Sequence, residues 1–139
     1  MTQDITSASG PFNIGQAAAQ SGVSAKMIRH YEALGLMPTV HRTDAGYRQY
    51  GDKEVHTLRF IRRARALGFS MAEIAELLKL WQNKRRASAD VKRIAQAHVA
   101  DLERRIAEME AMRKTLAQLA QCCQGNSRPD CPILTELAG

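Results

Sequence analysis

Aromatic side chains make up only 5% of this 139-residue chain, and no stretch approaches the roughly 18 consecutive apolar residues that a membrane-spanning helix needs. The first shortage argues against a sheet sandwich packed with rings, the second against a span across a bilayer. Residues 1–12 contain Asp4, no basic residue and no apolar run, so they encode neither a secretory signal nor a transit peptide. They read as a disordered extension of a cytoplasmic protein. Cysteine is scarce, with Cys122, Cys123 and Cys131 the full set. In a cytosolic chain such thiols are expected to be reduced, which favours metal binding or redox sensing over a structural disulfide. Residues 122–139 hold no histidine, so a tetrahedral zinc site there would need donors from elsewhere. No nucleophile paired with a base, phosphate-binding loop or open metal site is evident, which speaks against an enzyme.

Positive charge and helical periodicity are what the chain has. Its formal charge is +6, from 20 Lys and Arg against 14 Asp and Glu, with a sequence pI near 9.6. That balance suits a polyanionic partner or simply a soluble basic surface. The length fits one compact domain, or a small domain plus an extended element.

Asn13 to Gln20 opens a short helix, Ser21-Gly22-Val23 supplies a turn, and Ser24 caps a second helix. In that helix Met27, Ile28, Tyr31 and Leu34 recur at helical spacing until Gly35 ends the run. Helix, glycine turn, helix is the helix-turn-helix unit. Met37 to Tyr50, with Pro38 and the turn Asp44-Ala45-Gly46, reads as a β-hairpin wing. Asp52 is expected to cap a helix to about Leu67, stopped by Gly68. Ser70 and Glu73 then form a capping box for another that reaches about Trp81. Trp81 reads as a packing anchor between this bundle and the C-terminal part of the chain.

After a polar break over 82–87, one helix should run from about Ser88 to Cys122. Val91, Ala95, Leu102, Ile106, Met109, Met112, Leu116 and Leu119 form an approximate heptad stripe. At ~1.5 Å per residue such a helix is about 50 Å long, too long to bury its stripe against a small bundle. A partner helix is required, most simply the same helix of a second copy, parallel or antiparallel. His98 and Arg105 interrupt the stripe, so that interface should be partly polar, with His98 a hydrogen-bonded interface residue rather than a metal ligand.

Between Lys26 and Arg65 nine basic residues stand against four acidic ones, a local excess of +5. The second helix of a helix-turn-helix enters the major groove. Ala25, Lys26, Arg29 and His30 are therefore placed to meet base edges or phosphates, while Tyr31 either faces inward or touches the DNA backbone. Arg42, Tyr47 and Arg48 on the wing would grip flanking phosphates. The run Arg59, Arg62, Arg63 and Arg65 is either a solvated helix face or part of the same basic surface.

These residues, in this order, resemble the MerR family of transcriptional regulators. The resemblance is carried by Asn13-Ile14-Gly15, by residues 27–36, 42–50 and 60–70, and most specifically by Ile28-Arg29-His30-Tyr31-Glu32 with Gly46-Tyr47-Arg48 downstream. It implies a mainly α fold: a winged helix-turn-helix DNA-binding domain over 13–81 and a dimerisation helix over 88–122, forming an antiparallel coiled coil in the dimer. A metal-binding loop and tail would occupy 123–139. It further implies a homodimer on double-stranded promoter DNA, with RNA polymerase at the same promoter, and activation by bending and untwisting the operator.

Within the family the chain is most similar to copper-efflux regulators of the CueR and HmrR type, which hold a monovalent coinage metal between two loop cysteines. Cys123 and Cys131 occupy those positions, followed by the matching Pro132-Ile133. Divalent sensors carry a cysteine at the start of the long helix, reaching the partner's loop, where this chain has Ser88. The implied ligand is one Cu(I), Ag(I) or Au(I) per loop, with Ser88 and Lys92 beside the site. Soft monovalent ions accept linear coordination by two thiolates, which supports that choice. A bis-thiolate around a +1 ion keeps one negative charge, which a helix N-terminus, loop amides or Lys92 could offset. Cys122, about 100° round the helix from Cys123, reads as a bystander or a transfer thiol. Ile133, Leu134 and Leu137 form an apolar tail that either docks when the loop orders or stays packed. A thiol redox sensor or a divalent-metal sensor on the same scaffold is the alternative.

Overall fold

The computed structural model of the chain describes residues 10–37 and 41–139. Most of the proposed extension, residues 1–9, and the stretch 38–40 of the wing lie outside them. The chain forms two compact units, residues 1–91 and 92–139.

In the first unit, helix α1 (Ile14–Ser21) starts at Asn13, whose side chain accepts from the Gln16 amide while the Gln16 side chain accepts from the Asn13 amide. This reciprocal capping satisfies two donors that no helical turn can. Gly22 ends α1 with φ +78°, a conformation costly for any residue with a Cβ. Ser24 caps α2 (Ala25–Ala33) through the Met27 amide at 3.2 Å. The wing follows as an antiparallel pair, β1 (His41–Arg42) with β2 (Arg48–Gln49), in the register His41 opposite Gln49 and Arg42 opposite Arg48. Gly46, at φ +89°, makes the turn between them.

Helices α3 (Asp52–Ala66) and α4 (Met71–Gln82) complete the unit. Asp52 does not cap α3. Gly51 holds that position without a side-chain bond, and Asp52 sits in the first turn, where its charge meets the positive end of the helix dipole. The Ser70 and Glu73 capping box forms as the spacing predicts. Ile28 of α2, Leu58 and Ile61 of α3, Ile74 of α4 and Tyr50 after the wing are all fully buried. Phe12 is a correction to the extension drawn from composition. It is buried in this core and pairs its backbone with Tyr50 in both directions, at 2.6 and 2.8 Å. Trp81 stacks on Phe60 of α3, with ring centroids 4.6 Å apart.

The second unit contains most of α5 (Ser88–Cys122), the loop after it and the short helix α6 (Pro132–Ala138). Ion pairs along α5, Asp101 with Arg104 and Arg105 and Arg104 with Glu108 on one face and Arg113 with Glu110 on another, support it at i,i+3 and i,i+4 spacing. Arg105 of the stripe is therefore engaged within its own helix. His98 and Ile94 are the buried residues of α5. Ile106, Met109, Met112 and Leu116 remain more than half exposed. No helix among the described residues is long and apolar enough to cross a membrane.

Core burial and capping give a stability ranking. Leu58→Ala should lower unfolding free energy by about 2–5 kcal/mol and Ser70→Ala by about 1 kcal/mol, read by denaturant titration followed through helical circular dichroism.

Candidate DNA interface and metal loop

One turn of α2 separates Lys26 from Arg29 and His30, so the three share a face, and all three are exposed. Ala25, at the start of the helix, is half-buried. Tyr31 belongs to the opposite side. It is buried in the core, and its hydroxyl accepts from Arg65 Nη1 at 3.1 Å, which removes it from the groups offered to DNA. Wing residue Tyr47 is 72% exposed, and Arg42 donates from Nη1 to the Gly46 carbonyl at 3.0 Å.

Arg48 does more than extend from the wing. Its Nε lies 2.9 Å from Glu32 Oε2 of α2, while Glu32 Oε1 accepts from the Tyr50 hydroxyl at 2.6 Å. Burial, then the bond to Glu32, hold the Tyr50 phenol well above its ordinary pKa, so it remains a donor. Wing and recognition helix are thereby tied through one carboxylate. The Arg59 to Arg65 run also turns out to bind the protein itself in part. Arg59 donates from Nε and Nη2 to the Gln20 carbonyl at 3.1 and 2.8 Å, closing the end of α1, and the Arg62 guanidinium lies over Gly22. Neither Glu32 nor these arginine contacts were legible as such, because each joins residues distant in sequence.

The loop after α5 begins with Cys122, exposed at the last helical position, and Cys123, half-buried, whose amide still bonds back to Leu119 and Ala120 at 3.1 and 3.2 Å. Gly125 turns the chain with φ +65°, and the Asn126 side chain accepts from the Arg128 amide at 2.9 Å. Cys131 then serves as the N-cap of α6, with Pro132 at the first helical position. The backbone amides of Leu134, chiefly, and Ile133 act on the Cys131 sulfur, Cys123 adds a smaller effect, and together they lower its pKa below that of an ordinary thiol. The two half-buried sulfurs are thus neighbours, while Cys122 lines a separate cavity of about 170 Å³ with Arg128 and Asp130.

A soft cation fits this donor set. Two adjacent thiols, one with its pKa lowered, match the demands of a monovalent soft ion, and amides would supply local compensation for the residual negative charge. Among the described residues of one chain, no group of three or more His, Cys, Asp or Glu side chains is gathered for a harder or tetrahedral ion. Lys92 is not part of its own chain's loop: it shares α5 with Cys122, and the roughly 30 residues between them span about 45 Å. Ser88, the first residue of α5, is farther still from Cys122 along that helix. In α6, Ile133 is half-buried, while Leu134 and Leu137 are exposed.

Residues 12–81 match the family described as MerR HTH family regulatory protein, and residues 55–119 match the one described as MerR, DNA binding. The chain belongs to the MerR family of helix-turn-helix transcriptional regulators. Among its relatives is the heavy metal-dependent transcription regulator 2 of Rhizobium meliloti, 57% identical over 126 residues that span 91% of this chain and 86% of the relative. The HTH-type transcriptional regulator CueR of Salmonella typhimurium is 42% identical over 127 residues, 91% of this chain and 92% of CueR. A crystal structure of the regulator PbrR691 from Ralstonia metallidurans in complex with lead(II) superposes with a TM-score of 0.79 at 28% identity, covering 91% of this chain and 98% of that one. These relatives are regulators of transcription, not enzymes.

The direction of the Cys131 shift gives this MerR-family chain a measurable signature. In the metal-free protein, alkylation of Cys131 should reach half its maximal rate at a pH below that of free cysteine. A lowered pKa populates the thiolate at lower pH, and the thiolate is the reactive form. Cys123→Ser removes one of the causes and should move that midpoint upward only part of the way. Mass-resolved alkylation against pH measures both.

Proposed function

We propose that this MerR-family chain is a metal-responsive activator of transcription in the cytoplasm. It binds promoter DNA as a homodimer and senses Cu(I), Ag(I) or Au(I), one ion per loop, through Cys123 and Cys131. The observation that carries this reading is the pairing of two half-buried sulfurs at the start of α6, the pKa of one of them lowered by backbone amides. Two soft donors suit a linear monovalent ion better than a zinc ion, which normally takes four. Ser88 supports the same choice, since an alcohol is a poor ligand for soft metals and offers no third thiolate from a partner's long helix. The relatives' names, heavy metal-dependent regulator and CueR, agree with a metal signal.

The exposed apolar positions of α5 support the dimer, with the long helices pairing as an antiparallel coiled coil. In such a pair the partner's Ser88 and Lys92 would lie beside each loop, where Lys92 offsets charge. Lys26, Arg29 and His30 read the major groove, with Ala25 at the helix start, while Arg42, Tyr47 and Arg48 hold phosphates. Metal binding then favours one packing of the C-terminal segment, including Ile133, Leu134 and Leu137. The switch is read by RNA polymerase as an operator bent and untwisted into usable alignment.

Anaerobic transcription in vitro from the protein's own promoter tests this directly. Cys123→Ser and Cys131→Ser should each reduce the response to Ag(I) or Cu(I) to the metal-free level while DNA affinity stays within a few-fold of the parent's. Cys122→Ser should respond as the parent does. Activation that survives loss of both Cys123 and Cys131 contradicts the proposal, and activation by oxidant alone would favour the redox reading.

A further inference from the structure

Glu32 is the one acidic residue of α2, and it stands on the helix that a DNA-binding reading turns toward a polyanion. General electrostatics would disfavour a carboxylate there. Its two oxygens, however, are both committed: Oε1 to the Tyr50 hydroxyl at 2.6 Å and Oε2 to Arg48 Nε at 2.9 Å. Tyr50 is fully buried and its backbone is paired with Phe12, so the carboxylate is held from the core side. Engagement through Nε leaves the terminal nitrogens of Arg48 for another acceptor. Those nitrogens belong to a residue lining a cavity of about 160 Å³, together with Arg29, Arg42 and Tyr47. Arg42 and Arg48 also stand directly opposite each other across the wing, a like-charge pairing that is unfavourable without an anion to share. Three arginines line one cavity, and Glu32, which is not among its lining residues, offsets one of their charges through Arg48, which leaves an excess of positive charge suited to a phosphate.

We propose that Glu32 is a positioning residue: it fixes Arg48 by its Nε, so that the terminal nitrogens of Arg48, with Arg29 and Arg42, receive one backbone phosphate of the operator in this cavity. The inference rests on the DNA-binding reading above and adds to it a role for an acid on the DNA-facing helix. Its sign separates it from simple charge. Removing a negative charge from a DNA-binding face should strengthen binding, whereas losing the positioning of Arg48 should weaken it.

The test uses the full-length dimer and a duplex from its own promoter, with fluorescence anisotropy measured over a range of salt concentrations. Glu32→Gln is expected to weaken binding about tenfold and to make the slope of log affinity against log salt shallower by about 0.9, one phosphate contact. Arg48→Ala should do the same, and the double variant should be no weaker than Arg48→Ala alone, since the two act through one contact. Tyr50→Phe, which keeps the ion pair, should leave the slope unchanged. Should Glu32→Gln not fold, Arg48→Lys carries the test, because a lysine ammonium is a single point charge without the planar fork that sets Nε on Glu32 and turns the terminal nitrogens to the phosphate, and the slope should fall. Glu32→Gln binding as tightly as the parent or more tightly, with an unchanged slope, overturns the proposal, as does an unchanged slope in Arg48→Lys. Failure of the unaltered protein to bind any duplex would overturn the DNA-binding reading itself.

Discussion

A helix of 35 residues cannot bury one apolar stripe against its own chain when its length is about 50 Å and the units around it are small. Ile106, Met109, Met112 and Leu116 stay more than half exposed. That constraint shapes the whole molecule. In the proposed homodimer a second copy would cover the stripe, and the long helices would set the spacing of the two recognition helices. In the proposed antiparallel arrangement each loop would lie beside the start of the partner's long helix, which is how residue 88 would bear on a site at residues 123 and 131. The loop by itself is a two-thiol turn. In the proposed antiparallel dimer a further ligand would have to come from residue 88 of the partner, and in this sequence residue 88 is a serine.

In the DNA-facing unit, positive charge serves two purposes. Arg59 closes the end of α1, Arg65 reaches the Tyr31 hydroxyl, and Arg48 answers Glu32. A basic excess that composition alone assigns to a nucleic-acid partner is thus partly used inside the protein, holding the helix-turn-helix and wing in one arrangement. The remaining exposed cations, Lys26, Arg29 and Arg42 among them, are displayed from that frame. The same residue type thus supplies both the exposed basic surface and the bonds that hold the helix-turn-helix together.

Much of this was legible in the sequence where the signal is local. The caps at Ser24 and Ser70 and the left-handed glycines at 22, 35 and 68 mark helix boundaries directly, while Asn13, read as the first residue of its helix, is the cap of that helix. The periodic stripe set the limits of the long helix from Ser88 to Cys122. What escaped is tertiary. Phe12 is ordered by pairing with Tyr50, 38 positions away, so composition alone consigned it to an extension. Tyr31 left two readings open until Arg65 met its hydroxyl in the core. Asp52 has the chemistry of a cap, yet Gly51 takes the position. At the loop, the residue pair Cys123 and Cys131 was evident from spacing. The seven-residue helix that begins at Pro132 was too short to show a period, and with it went the reason the Cys131 pKa is lowered.

Everything assigned to the loop turns on the number and kind of atoms that bind the ion. X-ray absorption at the copper edge, on the anaerobic dimer loaded with one Cu(I) per chain, measures that directly. The expected result is two sulfur neighbours and no nitrogen or oxygen in the inner sphere, lost in Cys123→Ser and Cys131→Ser and unchanged in Cys122→Ser. Three or four ligands around the ion, or a spectrum that survives removal of Cys131, would contradict the two-thiolate sensor.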